Sequence, residues 1–530
     1  MYIELAPRRG NIYDRHLRPQ VINLPRHSLY AIPYEINNKD ELINKLSSIL
    51  GLSYNYLRER IYRDKAFIWL ARKIGPDKEE QIRQLNQKGL GFIKENIRAY
   101  PNRYLASHLI GFTDIDNVGL EGVEFIYNDY LRGKPGFGIF LRDGTGKILD
   151  FEERIVLPQD GLDVVLTIDE VIQYIAEREL DKVFRAFKAK GASIVILNPY
   201  TGEILAMANR PTFDLNYAKD TSADFRRNRA ITDIFEPGSS FKIVTAAAAL
   251  ESEVINEEDK IFCENGSYRL ANHILHDHQP HGWLNFREVI EQSSNIGVAK
   301  IAQILGAQVI YRYIKAFGFG SILGVDLPGE MKGMVKSSSQ WSKTSIGAIP
   351  IGHEVGVTAL QLACAISVVA NGGLLMRPFV LKEIRDKYGE RIKQNFPFII
   401  RRAIQTQTAL RLKEILIGVV ERGTGKLARI EGIKVAGKTG TAQKVGPDGH
   451  YVHDRFVASF IGFAPADNPR IAMCIVVDEP RPYYFGGVVC APVFKKVASE
   501  VLRYLNVSPI EAEEKIDFVK KQSLLKNETE

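Results

Sequence analysis

The sequence predicts an α+β chain of more than one domain: an antiparallel sheet built from two distant stretches and flanked by helices, preceded by an elongated mixed α/β region. Three observations carry this. Apolar strands are read at 193–197 and 204–208 and further strands far downstream at 434–443, 457–464 and 471–478, with helical patterns filling the interval. The first 160 or so residues have short strands and charged helices but no long hydrophobic centre. The length of 530 residues exceeds what one core organises, so roughly two to four units are expected.

In chain order, 28–32 reads as a strand, and 40–50 and 78–88 as charged helices separated by turn signals. Pro158-Gln159-Asp160-Gly161 breaks this pattern. Residues 162–168 then alternate as a strand, and Asp169 is placed to cap a helix reaching about residue 189. The boundary between an N-terminal domain (1–160) and a second domain (161–507) is set there. Asn198-Pro199-Tyr200-Thr201-Gly202 joins two apolar runs as a hairpin. Helical patterns follow at 241–250, 286–304, 358–370 and 408–420, then the three late strands, then a helix at 491–505. Residues 508–530 are charged and read as a loose C-terminal tail.

Composition narrows the classes. Hydrophobic residues at 45% and charged residues at 25% fit a folded globular protein rather than a disordered chain or a membrane bundle. The net charge of +7 comes without a dense basic block or a basic–aromatic ladder, so nucleic acid is not a favoured partner. Cys263, Cys364, Cys474 and Cys490 show no CxxC pairing and read as small buried apolar residues. Cys474, in the apolar run 471–477, could approach Cys490, which leaves a disulfide open. The longest apolar stretch, 358–370, is short and interrupted by Gln361, so nothing here spans a bilayer, and no signal peptide opens the chain. The first residues nonetheless read like the interior of something longer.

Three short segments could carry chemistry. In Glu236-Pro237-Gly238-Ser239-Ser240-Phe241-Lys242, Pro and Gly stop the preceding chain, so a helix should begin near Ser239, where backbone N–H groups favour negative charge. Three-residue spacing sets Ser239 and Lys242 on one face, where a lysine whose pKa is lowered by burial could take the serine proton. Taken alone the signal is poor, because such a pair recurs by chance about once or twice in a chain of this length; Ser523 and Lys526 repeat it in the tail. Ser293-Ser294-Asn295 offers a hydroxyl and an amide able to shuttle a proton and hold a substrate amide, and equally reads as a polar turn between helices. Lys438-Thr439-Gly440-Thr441 lies in a strand-like run. Glycine 440 leaves room for a substrate backbone, Thr439 and Thr441 share a face able to bind a carboxylate, and Lys438 supplies positive charge. Lys343-Thr344-Ser345 is a near-copy without the glycine.

Ser-x-x-Lys, Ser-x-Asn and Lys-Thr-Gly in that order are the set associated with penicillin-binding proteins and class A β-lactamases. Arg9-Gly10-Asn11-Ile12-Tyr13-Asp14-Arg15 resembles the segment after the membrane anchor of class B penicillin-binding proteins, and Gly119-Leu120-Glu121-Gly122-Val123-Glu124 resembles their pedestal motif. Residues 437–446 and 483–494, with Gly486-Gly487 and Ala491-Pro492-Val493-Phe494, resemble the division-specific (septal) members. The resemblance implies a penicillin-binding transpeptidase fold on an N-terminal pedestal or dimerisation-type domain. It implies a D,D-transpeptidase that cross-links peptidoglycan through an acyl-enzyme on Ser239, with no cofactor.

By the same resemblance Lys242 is the acylation base, Ser293 relays a proton to the leaving amine and Asn295 orients the substrate amide. Lys438, Thr439, Gly440 and Thr441 bind substrate, and the Ser239 and Thr441 N–H groups form the oxyanion hole. Implied partners are stem peptides ending in D-Ala-D-Ala, β-lactams, division-complex membrane proteins and a separate glycosyltransferase. The implied location is the cytoplasmic membrane, by a single helix upstream of the Arg-Gly motif, with the catalytic domain extracytoplasmic.

Other readings are weighed against this one. His273, His276, His278 and His281 with Asp277 could invite a metal, but His281-Gly282-Trp283 resembles a structural loop of the family, so no metal is assigned. Gly423-Thr424-Gly425-Lys426 lacks the spacing of a phosphate loop. An elongation-specific transpeptidase is the near alternative. A D,D-carboxypeptidase or β-lactamase would usually lack the pedestal, and a catalytically lapsed division scaffold or β-lactam sensor would not need all three motifs intact.

Overall fold

Alternation along five strands divides two hydrophobic cores. In the computed structural model, which describes residues 2–142, 148–271, 273–446 and 449–507, the strands β1 (Gly191–Leu197), β2 (Ile204–Arg210), β3 (Ala436–Val445), β4 (Tyr451–Ala464) and β5 (Ile471–Asp478) form one antiparallel sheet in the order β2-β1-β5-β4-β3. Val195 and Leu197 face one core while Ile194 and Ile196 face the other. Burial on both faces explains why β1, most of β2 and β5 read as nearly continuous apolar runs. The proposed tail 508–530, with its Ser523 and Lys526, lies outside the described residues.

Helices α1 (Glu170–Ala186) and α6 (Ala491–Tyr504) cover one face through Ile172, Leu180, Val497 and Val501. The other face carries α2 (Lys242–Glu251), α3 (Asn295–Leu305), α4 (Ala359–Ala370) and α5 (Thr406–Glu421). Asp169 caps α1 by accepting from Val171 N and Ile172 N, as its position suggested. Residues 242–250 of α2 are all buried, so this helix is held on every side. Among the described residues strand β3 is an edge, with no strand paired to its outer side.

A second sheet stitches the two halves of the chain together. Asp163–Leu166 pairs in parallel with Ile12–Tyr13 and antiparallel with Leu381–Arg385. The break at 158–161 therefore stands directly before a strand shared by both halves. Leu381–Arg385 and Arg391–Gln394 were not anticipated, because they are short and the second is wholly exposed. The N-terminal lobe has its own core, including Leu29, Ile43, Leu46, Leu57 and Leu70.

The two N-terminal motifs meet in one buried ion cluster. Arg9 Nε donates to Glu124 Oε2 at 2.7 Å and Arg98 Nε to Glu124 Oε1 at 2.6 Å, with all three side chains nearly inaccessible. A side chain at Gly10 would lie 1.8 Å from Leu162 O, and one at Gly119 would lie 1.8 Å from Glu124 O, so close backbone approach fixes both glycines.

All four cysteines are buried free thiols, so Cys474 and Cys490 are not joined. Among the described residues no helix is long and apolar enough to cross a membrane.

Candidate active site

Ser239 sits in a 3-10 turn, Gly238–Phe241, that runs directly into α2. The α-helix begins at Lys242 rather than at Ser239. With three residues per turn, Ser239 and Lys242 eclipse one another along this segment. The turn is wedged between β3 and the 349–352 turn: Gly238 N donates to Gly352 O at 3.1 Å, and a side chain at Gly352 would lie 2.1 Å from Gly238 O. A side chain at Gly440 would meet Ser459 Oγ at 2.3 Å and Pro237 O at 2.7 Å. Glycine 440 is thus required by the packing of the serine turn, a different reason from the open substrate face that the sequence suggested.

Lys242, Ser293, Asn295 and Lys438 converge on one hydrogen-bonded cluster. Lys242 Nζ lies 2.6 Å from Ser293 O, 2.7 Å from Asn295 Oδ1 and 3.2 Å from Ser293 Oγ. Lys438 Nζ donates to Ser293 Oγ at 2.9 Å and to Thr439 O at 3.2 Å. The half-buried Ser239 has no side-chain hydrogen bond to a described residue, so it stands beside this network without being joined to it.

Both lysines are fully buried. Burial pushes Lys242 down to about 7, against the opposing pull of the Asp277 carboxylate. Burial, with the charge of Lys242 beside it, pushes Lys438 well below the ordinary lysine range. A neutral amine has two N–H donors and one lone pair. Ser293 O and Asn295 Oδ1 accept from the donors of Lys242, which leaves the lone pair for a hydroxyl proton.

Ser293 breaks the predicted 286–304 helix into Phe286–Glu291 and α3, and it adopts a left-handed φ of 61°. Such a conformation costs a β-carbon residue on the order of 1–3 kcal/mol and needs surrounding support. Asp277 supplies much of that support. Its Oδ1 accepts from Asn295 N at 2.5 Å and Ile296 N at 3.0 Å, and its Oδ2 accepts from Ser294 Oγ at 2.6 Å. The His276 carbonyl accepts from Asn295 Nδ2 at 2.9 Å. The histidine-dense loop is therefore the brace of the Ser-x-Asn segment. Among the described residues no group of three or more His, Cys, Asp or Glu is arranged to hold a metal ion. Sequence reasoning noticed Asp277 only as a metal candidate; a carboxylate whose partners, two backbone N–H groups and a hydroxyl, lie seventeen to nineteen residues away leaves no local signal.

On the opposite face of β3, Thr441 Oγ1 accepts from Gly486 N at 3.0 Å, and Thr439 Oγ1 lies 2.8 Å from Thr424 Oγ1. Thr424 belongs to the discarded phosphate-loop segment. A side chain at Gly486 would lie 2.2 Å from Gly440 O, which explains one glycine of the pair at 486–487. Lys343 of the near-copy is exposed. Also unanticipated is a cluster just before the serine turn, in which Glu236 meets His353 Nδ1 at 2.8 Å and accepts from Tyr451 Oη at 3.1 Å and Glu354 N at 2.9 Å.

Comparison with known proteins gives this geometry its family. Residues 192–499 match the Penicillin binding protein transpeptidase domain, and residues 4–166 match the Penicillin-binding Protein dimerisation domain. The chain belongs to the class B penicillin-binding proteins. This class B penicillin-binding protein is 35% identical to stage V sporulation protein D of Bacillus subtilis (strain 168) over 516 residues, 96% of this chain and 80% of that one. It is 33% identical to peptidoglycan D,D-transpeptidase FtsI of Escherichia coli (strain K12), over 96% of this chain and 85% of that one. Penicillin binding protein 3 of Mycobacterium tuberculosis, in complex with aztreonam, superposes with a TM-score of 0.76 at 28% identity, covering 96% of this chain and 99% of that one. The Arg9–Glu124–Arg98 cluster of the class B penicillin-binding protein lies wholly within its dimerisation-domain match.

Proposed function

We propose that the chain is a serine D,D-transpeptidase that cross-links peptidoglycan stem peptides in septal wall synthesis. The observation that carries this reading is the buried Lys242–Ser293–Lys438 network one turn from Ser239, with Lys242 close to neutral pH in its titration. In the proposed reaction Ser239 Oγ attacks the carbonyl of the penultimate D-Ala and its proton passes to neutral Lys242. The developing oxyanion is received by the Ser239 and Thr441 N–H groups. The C–N bond breaks, and the departing D-Ala amine takes a proton through Ser293, whose hydroxyl bridges the two lysines. Asn295 orients the substrate amide, while Lys438, Thr439 and Thr441 hold its carboxylate, with the donor peptide laid along the open edge of β3. An amine of a second stem peptide then attacks the ester and frees Ser239.

β-Lactams acylate the same serine in this reading, which is supported by the aztreonam complex of the similar mycobacterial protein. The septal role is favoured over elongation by the 437–446 and 483–494 segments and by the similarity to FtsI. Catalysis on the extracytoplasmic side of the cytoplasmic membrane, alongside division-complex membrane proteins and a separate glycosyltransferase, completes the proposal.

The test is incubation with a fluorescent penicillin followed by peptide mass mapping. A single adduct on Ser239, lost in Ser239→Ala, is expected. Labelling that survives the substitution removes the mechanism, and a wild-type chain that takes no label supports a lapsed scaffold.

A further inference from the structure

Ser239 and Lys242 lie on a stretch of chain that a second segment, 350–354, backs from end to end. Pro350 O accepts from Thr245 Oγ1 at 3.1 Å, beyond Lys242. Gly352 O accepts from Gly238 N at 3.1 Å, beside Ser239. Glu354 N donates to Glu236 Oε1 at 2.9 Å, before the serine turn begins. These ties across residues 236–245 make 350–354 a splint for the interval from Ser239 to Lys242, on which proton transfer depends.

The ties are not alike. Thr245 is a buried residue inside α2. Gly238 and Gly352 both hold a positive φ, 54° and 88°, so the tie beside Ser239 joins two residues with more backbone freedom than any others. Upstream, Phe235 exchanges both backbone bonds with Val357, at 3.0 and 2.9 Å. Pro237 has no N–H, so between Phe235 and Gly238 the hold is the Glu236 side chain. Its carboxylate also meets His353 Nδ1 at 2.8 Å and accepts from Tyr451 Oη at 3.1 Å. Bonds to a charged acceptor are the stronger kind. Tyr451 opens β4 and pairs with Val445 at the end of β3, the strand that carries Lys438. On its far side Glu354 Oε2 accepts from Ser345 Oγ at 2.9 Å, so the near-copy segment 343–345 anchors the splint.

We propose that Glu236 is a positioning residue for acylation: it ties the entry of the serine turn to the 350–354 segment and to the β3–β4 hairpin, and so holds Ser239 Oγ within reach of Lys242. The inference rests on the transpeptidase reading and goes beyond it, because Glu236 belongs to none of the three motifs and takes no proton in the reaction. Ser239 depends on its backbone for this placement, since its own side chain has no hydrogen bond to a described residue.

The experiment is stopped-flow acylation of the whole chain over a range of fluorescent penicillin concentrations, which separates the dissociation constant of the first complex from the limiting rate of acylation. Glu236→Gln keeps the size of the side chain and an acceptor for Glu354 N but gives up the charge. Its limiting rate should fall about tenfold while the dissociation constant stays within about twofold. Tyr451→Phe, at a residue 41% exposed, loses one hydroxyl and should lower the same rate about threefold. The double variant should lose about tenfold rather than the roughly thirtyfold of independent effects, because both changes act through one carboxylate. A limiting rate unchanged in both single variants, a loss confined to the dissociation constant, or independent effects in the double variant overturns the assignment. So does a loss of labelled protein with both constants unchanged, which marks a role in stability alone. Should Glu236→Gln fail to fold, the limiting rate of Tyr451→Phe decides. A wild-type chain that forms no penicillin adduct on Ser239 overturns the transpeptidase reading, and this one with it.

Discussion

Replacing Asp277 with asparagine separates two things this carboxylate does. It accepts three hydrogen bonds from the Ser-x-Asn segment, and its charge favours the protonated form of Lys242. In Asp277→Asn the amide oxygen can still accept from Asn295 N and Ile296 N, but the amide nitrogen faces the Ser294 hydroxyl, which already accepts from Gly297 N at 2.9 Å. Losing the charge from these bonds costs about 2 kcal/mol in the placement of Ser293 and Asn295, or roughly 30-fold in the rate of acylation. The electrostatic effect runs the other way. Without the carboxylate the ammonium of Lys242 is less favoured, so its titration moves below about 7 and more of the amine is neutral in acid.

The expected result is therefore a pH profile whose plateau falls while its acid limb shifts to lower pH. Stopped-flow acylation by a fluorescent penicillin between pH 5 and 9 measures both, and urea denaturation of the same sample confirms the fold. A purely structural role would lower the plateau without moving the limb. An unchanged plateau, or a limb displaced toward higher pH, would refute the assignment of Asp277 as the brace and the counter-charge.

Further outcomes follow from single side chains. With Lys242 at about 7, the neutral fraction at pH 5.5 is about 3%, so wild-type acylation should fall roughly 15-fold between pH 7 and pH 5.5, and Lys242→Arg should abolish it. The folded value lies below the unfolded one, so between about 7 and 10.5 the unfolded chain binds the extra proton and stability rises with pH, by at most about 1.4 kcal/mol per unit. That contribution should vanish in urea titrations of Lys242→Met. Glu124→Ala leaves Arg9 and Arg98 buried without their counter-charge and should cost about 3–5 kcal/mol, whereas Arg63→Ala at an exposed pair should cost less than about 1 kcal/mol in the same assay.

What was legible in the sequence follows from where a signal is local. β1, β2, β5 and the buried half of β4, with most of the helices, are readable because Val, Ile and Leu recur at strand or helix period and because caps such as Asp169 sit beside the element they start. The break at Ser293 was legible only as one of two readings, a polar turn between helices set against a continuous 286–304 pattern, since Ile290, Val298 and Ile301 stay apolar on both sides of it. Leu381–Arg385 and Arg391–Gln394 take their strand form from pairing with Asp163–Leu166 and with each other, far away in sequence or too polar to notice. Asp277 and the Glu236–His353–Tyr451 cluster depend on partners brought together only by the tertiary fold.

The residues recognised by motif are also those that obey local rules least. Two lysines are fully buried, and Ser293 has a left-handed backbone. None of these is what propensity or hydrophobic patterning would choose, and each stands only because α2 is enclosed on all sides and Asp277 anchors the start of α3. A stability-driven redesign would begin by removing them: Lys242 and Lys438 to apolar residues, Ser293 to glycine. Such a protein should be more stable and should take no penicillin, and that opposition ties the strain at these positions to the chemistry rather than to the fold.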